Sequence, residues 1–313
     1  MSRDLRRILM LLSAASIALA TLPWLASDFM LSLALTCLLY VGLAVSWAMF
    51  SGATNYLSLA TAAFFGIGAY VTAWGFESLP YALVVLLGGL AAAAFAVLVG
   101  AAVLHLRGAY FAVITFGLGE LVRHAITYAE KTYAKTVGRV ISDPPDAADV
   151  YLTVLLLAFL AVATCAAVRA SRFGLALAGI GADEERAQTL GVHTRRTKIL
   201  AFALAAFFAG ARGAAMAVRW TYIEPASVFN PFIGFQTVLI AMIGGAQTLI
   251  GPIVSAVVFS VMTELLRLQF PYAYLITLGV LLILLVLYLP GGMASLIGRV
   301  RDSFSRRAWK PNA

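Results

Sequence analysis

FMLSLALTCLLYVGLAVSWAMFSGATNYLSLATAAFFGIGAYVTAWGF, from Phe29 to Phe76, lies between Asp28 and Glu77 and contains no charged residue. A membrane-spanning helix takes about 20 mostly apolar residues, so the stretch is long enough for two. Its turn-rich interruption, Ser51-Gly52-Ala53-Thr54-Asn55, marks the backbone break between them. Phe29–Phe50 and Leu57–Phe76 therefore read as consecutive spans. Upstream, Arg3, Arg6 and Arg7 precede an uncharged run from Ile8 to Ser27. A basic start, an apolar middle and small residues at Ala26 and Ser27 are marks of a secretory signal, but the uncharged continuation makes Ile8–Ala26 a first span instead.

Downstream the same pattern predicts spans at Pro80–Leu104, Tyr110–Ala129, Tyr151–Val168, Ile199–Val218, Phe232–Ile243, Ile250–Leu266 and Tyr272–Leu289. Phe232–Ile243 is short for a crossing, which leaves a broken or a re-entrant segment open. Composition agrees with this reading. Of 313 residues, 62% are apolar or aromatic and only 12% are charged, against about 25% charged in soluble domains. At about 20 residues per span, the apolar share supplies nine or ten helices. The expected fold is an all-α polytopic bundle of about ten spans in one domain, 1–313, with a loop at 130–150 marked by Pro144 and Pro145 and another at 169–198. A large extramembrane catalytic domain is excluded.

Charge sets the orientation. Of the 22 Lys and Arg residues, fifteen fall on the side of the N-terminus and five on the other, while Arg123 and Arg212 lie within spans. The positive-inside bias then puts both termini and the 169–198 loop in the cytoplasm, and 130–150 in the periplasm. The net charge of +8 is a marker of cytoplasmic loops, with no nucleic-acid partner implied. Cys37 and Cys165 sit in apolar runs and read as free thiols. His105, His124 and His193 are too scattered for a metal site. A phosphate-cradling loop needs Gly-Lys-Ser/Thr, and none of Lys131, Lys135, Lys198 and Lys310 follows a glycine, so the chain has no ATPase motor of its own.

The cytoplasmic loop has an internal order. Asp183 can cap a short helix, Glu184 and Glu185 lie in its first turn, and Gly191 suits a left-handed stop after Leu190. One reading is a solvated connector; the other is a helix that docks a cytosolic protein. Its sequence, SRFGLALAGIGADEERAQTLGVHTRRTKILAF (Ser171–Phe202), resembles the cytoplasmic loop of permease subunits of branched-chain amino acid ABC importers of the LivM type. The positions that match are Gly174, Ile180, Asp183, Glu184, Ala187, Leu190, Gly191, Arg196 and Lys198; Leu175 and Gly181 depart from basic residues. LSLATAAFFGIGAY (Leu57–Tyr70) resembles the family's LSLGHAAFFGIGAY, departing at Ala60 and Thr61. LRGAYFAVITFGLGELVRH (Leu106–His124) is similar to another family segment, and Ile243-Gly244-Gly245, Gly251-Pro252, Glu264-Leu265-Leu266-Arg267 and Leu289-Pro290-Gly291-Gly292 follow in family order. The resemblance implies a permease that binds no cofactor itself, a coupling helix gripped by two cytosolic ATPase subunits that use ATP, a second permease subunit, and a periplasmic substrate-binding protein.

Within the apolar part, Glu120, Arg123 and His124 share one helix face by their spacing, and charges at membrane depth face the bundle interior or water. They could flank a pathway or form a gate; the plainer reading is a neutralising pair that locks helices. Arg212, between small residues, could take a substrate carboxylate, or else pair with Glu264 or reach an interface. Gln236, with Gly244 and Gly245, marks the candidate pathway region, because broken helices line transport cavities; helix packing is the plainer alternative. The leading function is an importer permease working by alternating access. Its rival is a proton- or ion-coupled secondary transporter or channel using Glu120, Arg123 and His124. A membrane enzyme lacks any clustered nucleophile or acid pair.

Overall fold

The first expected span is helical in two pieces, α1 (Arg3–Ala20) and the one-turn α2 (Leu22–Leu25), because Pro23 cannot continue the hydrogen-bond ladder and starts a new turn. The computed structural model describes residues 3–141, 144–220 and 222–270, together with Ile276, Gly279 and Val280. α3 (Asp28–Trp47) opens with Asp28 in its first turn, where the helix dipole favours an acid, and ends in a π-helical turn at Ala48–Gly52. α4 (Thr61–Gly75) and α5 (Tyr81–Val103) follow, the latter entered through Pro80. α6 (Ala109–Ala129) starts after Gly108, at φ 62°, and runs into a second π-helical turn at Glu130–Ala134.

α7 (Ala147–Arg169), α8 (Arg172–Ala182), α9 (Glu184–Thr189) and α10 (Thr194–Ala217) carry the chain through the 169–198 segment. α11 (Pro225–Val228), α12 (Pro231–Gly244) and α13 (Ile250–Gln269) complete the described helices. A two-residue antiparallel ribbon pairs β1 (Arg139–Val140) with β2 (Tyr222–Ile223).

Among the described residues, seven helical segments are long and apolar enough to cross a membrane. The described elements are almost entirely helical, as expected, but of the ten expected spans Ile8–Ala26 and Leu57–Phe76 are not among these seven, and Tyr272–Leu289 lies almost wholly outside the described residues. The third expected span, Leu57–Phe76, is helical only from Thr61, and residues 57–60 are non-helical, with backbone groups bonded to the side chains described below. The short segment at 232–243 belongs to Pro225–Gly244, one of the seven segments long and apolar enough to cross. From Phe229, packed on Tyr70 near the ribbon, α12 descends to Ala246 and Gln247, whose carbonyls accept from Arg169 at the opposite end. Asn230 caps it, accepting from Phe232 N at 2.9 Å, and Gly245 ends it at φ 88°. The helical path is interrupted between α11 and α12, at Phe229 and Asn230.

α10 is the most enclosed span and packs on α5 and α4, with α3 and α7 on its other sides. Its contacts depend on small residues that let backbones meet. At Gly68 of α4, an added side chain would collide with the Gly210 carbonyl of α10. α6 is the least enclosed, resting mainly on α4 and α11.

Candidate functional site

Between α3 and α4 the backbone leaves helical geometry at Asn55, whose φ is 59°, and its polar groups are taken up by side chains. The Ser58 carbonyl accepts from Trp47 Nε1 at 2.7 Å, Leu59 N donates to Thr115 Oγ1 of α6 at 3.0 Å, and Ser58 N donates to Ser51 Oγ. Unwound backbone at membrane depth persists only where such partners replace the helical ladder. Ser46, Ser51, Ser58 and Thr61, with Trp47 and Phe64, line a cavity of about 20 Å³ beside this break, room for one water-sized group.

The α8–α9 arm closes over the same break. Ser171 Oγ caps α8 by accepting from Gly174 N at 3.2 Å, and Asp183 Oδ1 caps α9 by accepting from Glu185 N and Arg186 N at 3.0 and 3.1 Å. At the corner between these helices, Gly181 lies so close to the Ala53 carbonyl that a side chain would collide with it. Its own carbonyl accepts from Asn55 Nδ2 at 2.9 Å.

From this corner Glu184 turns inward. It meets Lys198 Nζ of α10 at 2.6 Å, accepts from Tyr56 Oη at 2.7 Å, and lies 3.4 Å from Arg107 Nε. Lys198 also donates to Tyr56 Oη at 3.0 Å and to the Leu104 carbonyl at the end of α5 at 2.9 Å, and it stands over the Tyr56 ring. Burial pushes the Glu184 carboxyl up. The hydrogen bonds from Lys198 and Tyr56, with the charges of Lys198 and Arg107, outweigh burial and hold it below the ordinary carboxylate value. One carboxylate thus joins α9, α10, the α5 end and the break, and the Tyr56 ring continues the contact into Phe111 and Phe50.

The residues of the loop expected to act together divide into two sets. Ile180, Ala187, Glu184 and Lys198 face the bundle, while Leu190 and Arg196 stand exposed and Gly191 adopts φ 85°. Glu120 and Arg123 form a salt bridge on α6, with His124 Nε2 3.9 Å from the same carboxylate. This pair links turns of one helix and does not lock two helices together. Glu120 and Arg123 are half-buried, and His124 beside them is exposed.

Arg212 does not pair with Glu264, nor does it reach an interface. It is wholly buried, donating to the Phe208 and Leu157 carbonyls at 2.9 Å each, with its guanidinium against Gly42 and its Nε unpartnered. Glu264 lies 3.8 Å from Arg267 on its own helix. Gln236 accepts from Tyr40 Oη at 2.8 Å, tying α12 to α3, and Gly244 packs against Gly251.

Two buried polar groups that join elements carried no mark in the sequence. Tyr56 carried no pattern that marked it. Glu130, read as part of a loop, is buried and accepts from Tyr70 Oη at 3.2 Å and Gly138 N at 2.9 Å at the ribbon end. The turn-rich Ser51–Asn55 run was the available signal for the break beside Tyr56.

Residues 29–289 match the family model described as branched-chain amino acid transport system / permease component. The high-affinity branched-chain amino acid transport system permease protein LivM of Escherichia coli (strain K12) is 28% identical over 305 residues, 87% of this chain and 71% of its own length. The protein of the same name from Salmonella typhimurium (strain LT2) matches to the same extent. No solved structure matches the chain.

Proposed function

The chain belongs to the family of branched-chain amino acid transport system permease components, as a multi-pass protein of the inner membrane and the permease subunit of an ABC importer, and on that premise we propose how it couples. It moves branched-chain amino acids or related small polar solutes by alternating access, with no covalent chemistry on the solute. Separate cytosolic ATPase subunits supply the energy and contact the α8–α9 arm in the cytoplasm. A second permease subunit and a periplasmic binding protein complete the importer.

The observation that carries this reading is the buried Lys198–Glu184–Tyr56 cluster. A load applied to α9 reaches, through one carboxylate, the head of α10, the end of α5 and the break before α4. Exposed Leu175 and Leu190 on the arm offer apolar surface for a partner. The second permease subunit covers the open face of α6. Glu120 lies midway along Ala109–Tyr133, and a charge at that depth facing lipid costs about 2.5–3.5 kcal/mol.

The test is reconstitution of the chain with its second permease, ATPases and binding protein in proteoliposomes, with ATP-dependent uptake of leucine, isoleucine and valine as the readout. Replacing 183–190 by a neutral linker is expected to abolish both ATPase co-purification and uptake. Retained assembly and uptake would refute the role given to α9.

A further inference from the structure

On the outer side of α5 and α10, a cavity of about 480 Å³ opens where the apolar part of both helices ends. Its walls include Ala101 and His105 at the end of α5, Arg107 in the following turn, Glu184 of α9, and Arg195 and Lys198 in the first turns of α10. Three cations and a histidine thus face one carboxylate. That carboxylate is already engaged by Lys198, Tyr56 and Arg107. Arg195 is different: it donates only to the Ala101 carbonyl at 3.2 Å, and among the described residues no carboxylate lies within 4 Å of it. No side chain caps α10 at His193, so the first backbone N–H groups of that helix add positive potential at the same place.

Above the cavity the outward face of α5 is a continuous apolar track. Leu83, Leu87, Leu90 and Leu98 are exposed at helical spacing and lead to Ala101. A positively charged hollow at the end of such a track fits a molecule that has an anionic head and apolar chains.

We propose that this cavity binds the phosphate of an anionic glycerophospholipid, with Arg195 and His105 facing the phosphate and the acyl chains lying along α5. The geometry needs only that α5 spans the bilayer, so it is independent of how α9 works. Basic pockets at the membrane boundary attract anionic headgroups with about fivefold in affinity per cation. Arg195, bonded only to a backbone carbonyl, is the cation of the cavity wall without a carboxylate partner, and an arginine side chain is long enough to carry its charge to a membrane boundary.

The experiment is native mass spectrometry of the detergent-purified full chain titrated with dioleoylphosphatidylglycerol, and separately with dioleoylphosphatidylcholine or inorganic phosphate. Phosphatidylglycerol is expected to remain bound at several times the occupancy of phosphatidylcholine. The preference should fall about fivefold in Arg195→Gln, and further in Arg195→Gln/His105→Gln. Arg195→Lys should keep it, while equal phosphatidylcholine retention by every variant reports an intact fold. Millimolar inorganic phosphate should leave the bound phosphatidylglycerol in place. Equal retention of the two lipids by the unaltered chain, or an undiminished preference in the double variant, would overturn the site. Full displacement by inorganic phosphate would overturn the lipid and leave a free-anion pocket.

Discussion

Lys198 and Glu184 are buried together, and the consequence of losing either depends on what remains. Lys198→Ala leaves Glu184 only Tyr56 and the more exposed Arg107 and leaves the Leu104 carbonyl without its donor; removing one partner of a buried pair costs up to about 3–5 kcal/mol, and Arg107 holds the cost toward the low end. Lys198→Met/Glu184→Gln removes both charges at similar volume and is expected to recover most of that stability, measured by thermal unfolding, while ATP-driven uptake stays low because the joint has lost its directional bonds. The pH dependence has a definite sign. A carboxyl held below its ordinary value of 4.5 contributes stability that is complete above that value and is lost as pH falls through the depressed one. Thermal stability attributable to this pair is therefore expected to be flat from neutral pH down to about 4.5 and to fall below it, and Glu184→Gln should erase that acid limb. Arg212 is the opposite case, a buried cation held by two backbone carbonyls and no carboxylate. Arg212→Met fills similar volume without the desolvated charge, and such replacements are neutral or stabilising by about 1–4 kcal/mol. We expect uptake to persist in that variant. Lost uptake with unchanged stability would place Arg212 in the transport path instead.

At the scale of elements, the joint works only if α4 and α10 move as one body, and their backbone approach provides this. Gly68→Val would drive a branched side chain into the Gly210 carbonyl; overpacking of this kind costs about 1–3 kcal/mol. The expected outcome is a lower unfolding temperature and reduced uptake, with Gly75→Ala, which meets only ordinary contacts, as the silent control. Most of these elements were legible as apolar runs bounded by turn residues or charges. Asp183 and Gly191 announced α9 through capping chemistry that is local in sequence. What periodicity could not convey is tertiary satisfaction of the backbone. Leu57–Ala60 carries no charge and sits in an apolar run, yet Trp47 and Thr115, from two other helices, take up its polar groups and it stays outside the helix. Glu184 and Lys198 were visible as loop residues, but their union with Tyr56 spans a separation that no spacing rule covers. Arg212 suggested an acid partner by its charge, and carbonyls answered instead.

At the scale of the whole molecule, the chain is enclosed around α10 and open along α6, and the open side carries its only charges near mid-depth among the described spanning residues apart from buried Arg212. The Glu120–Arg123 pair, half-buried, offsets part of the cost of charge at that depth, while His124 beside it stays exposed. Leu121 on the same helix is equally bare. The proposed arrangement gives the two outward surfaces different neighbours: lipid along the apolar α5 track and the second permease subunit along α6. A cysteine at Leu121, in a chain whose Cys37 and Cys165 are replaced by serine or alanine, is expected to crosslink to cysteines scanned along the second permease subunit, at a rate that changes when ATP is added. A cysteine at Leu90 on α5 should not crosslink. Crosslinking at Leu90 in preference to Leu121 would reverse the arrangement, and would require α5 to carry the subunit interface with α6 turned to the bilayer.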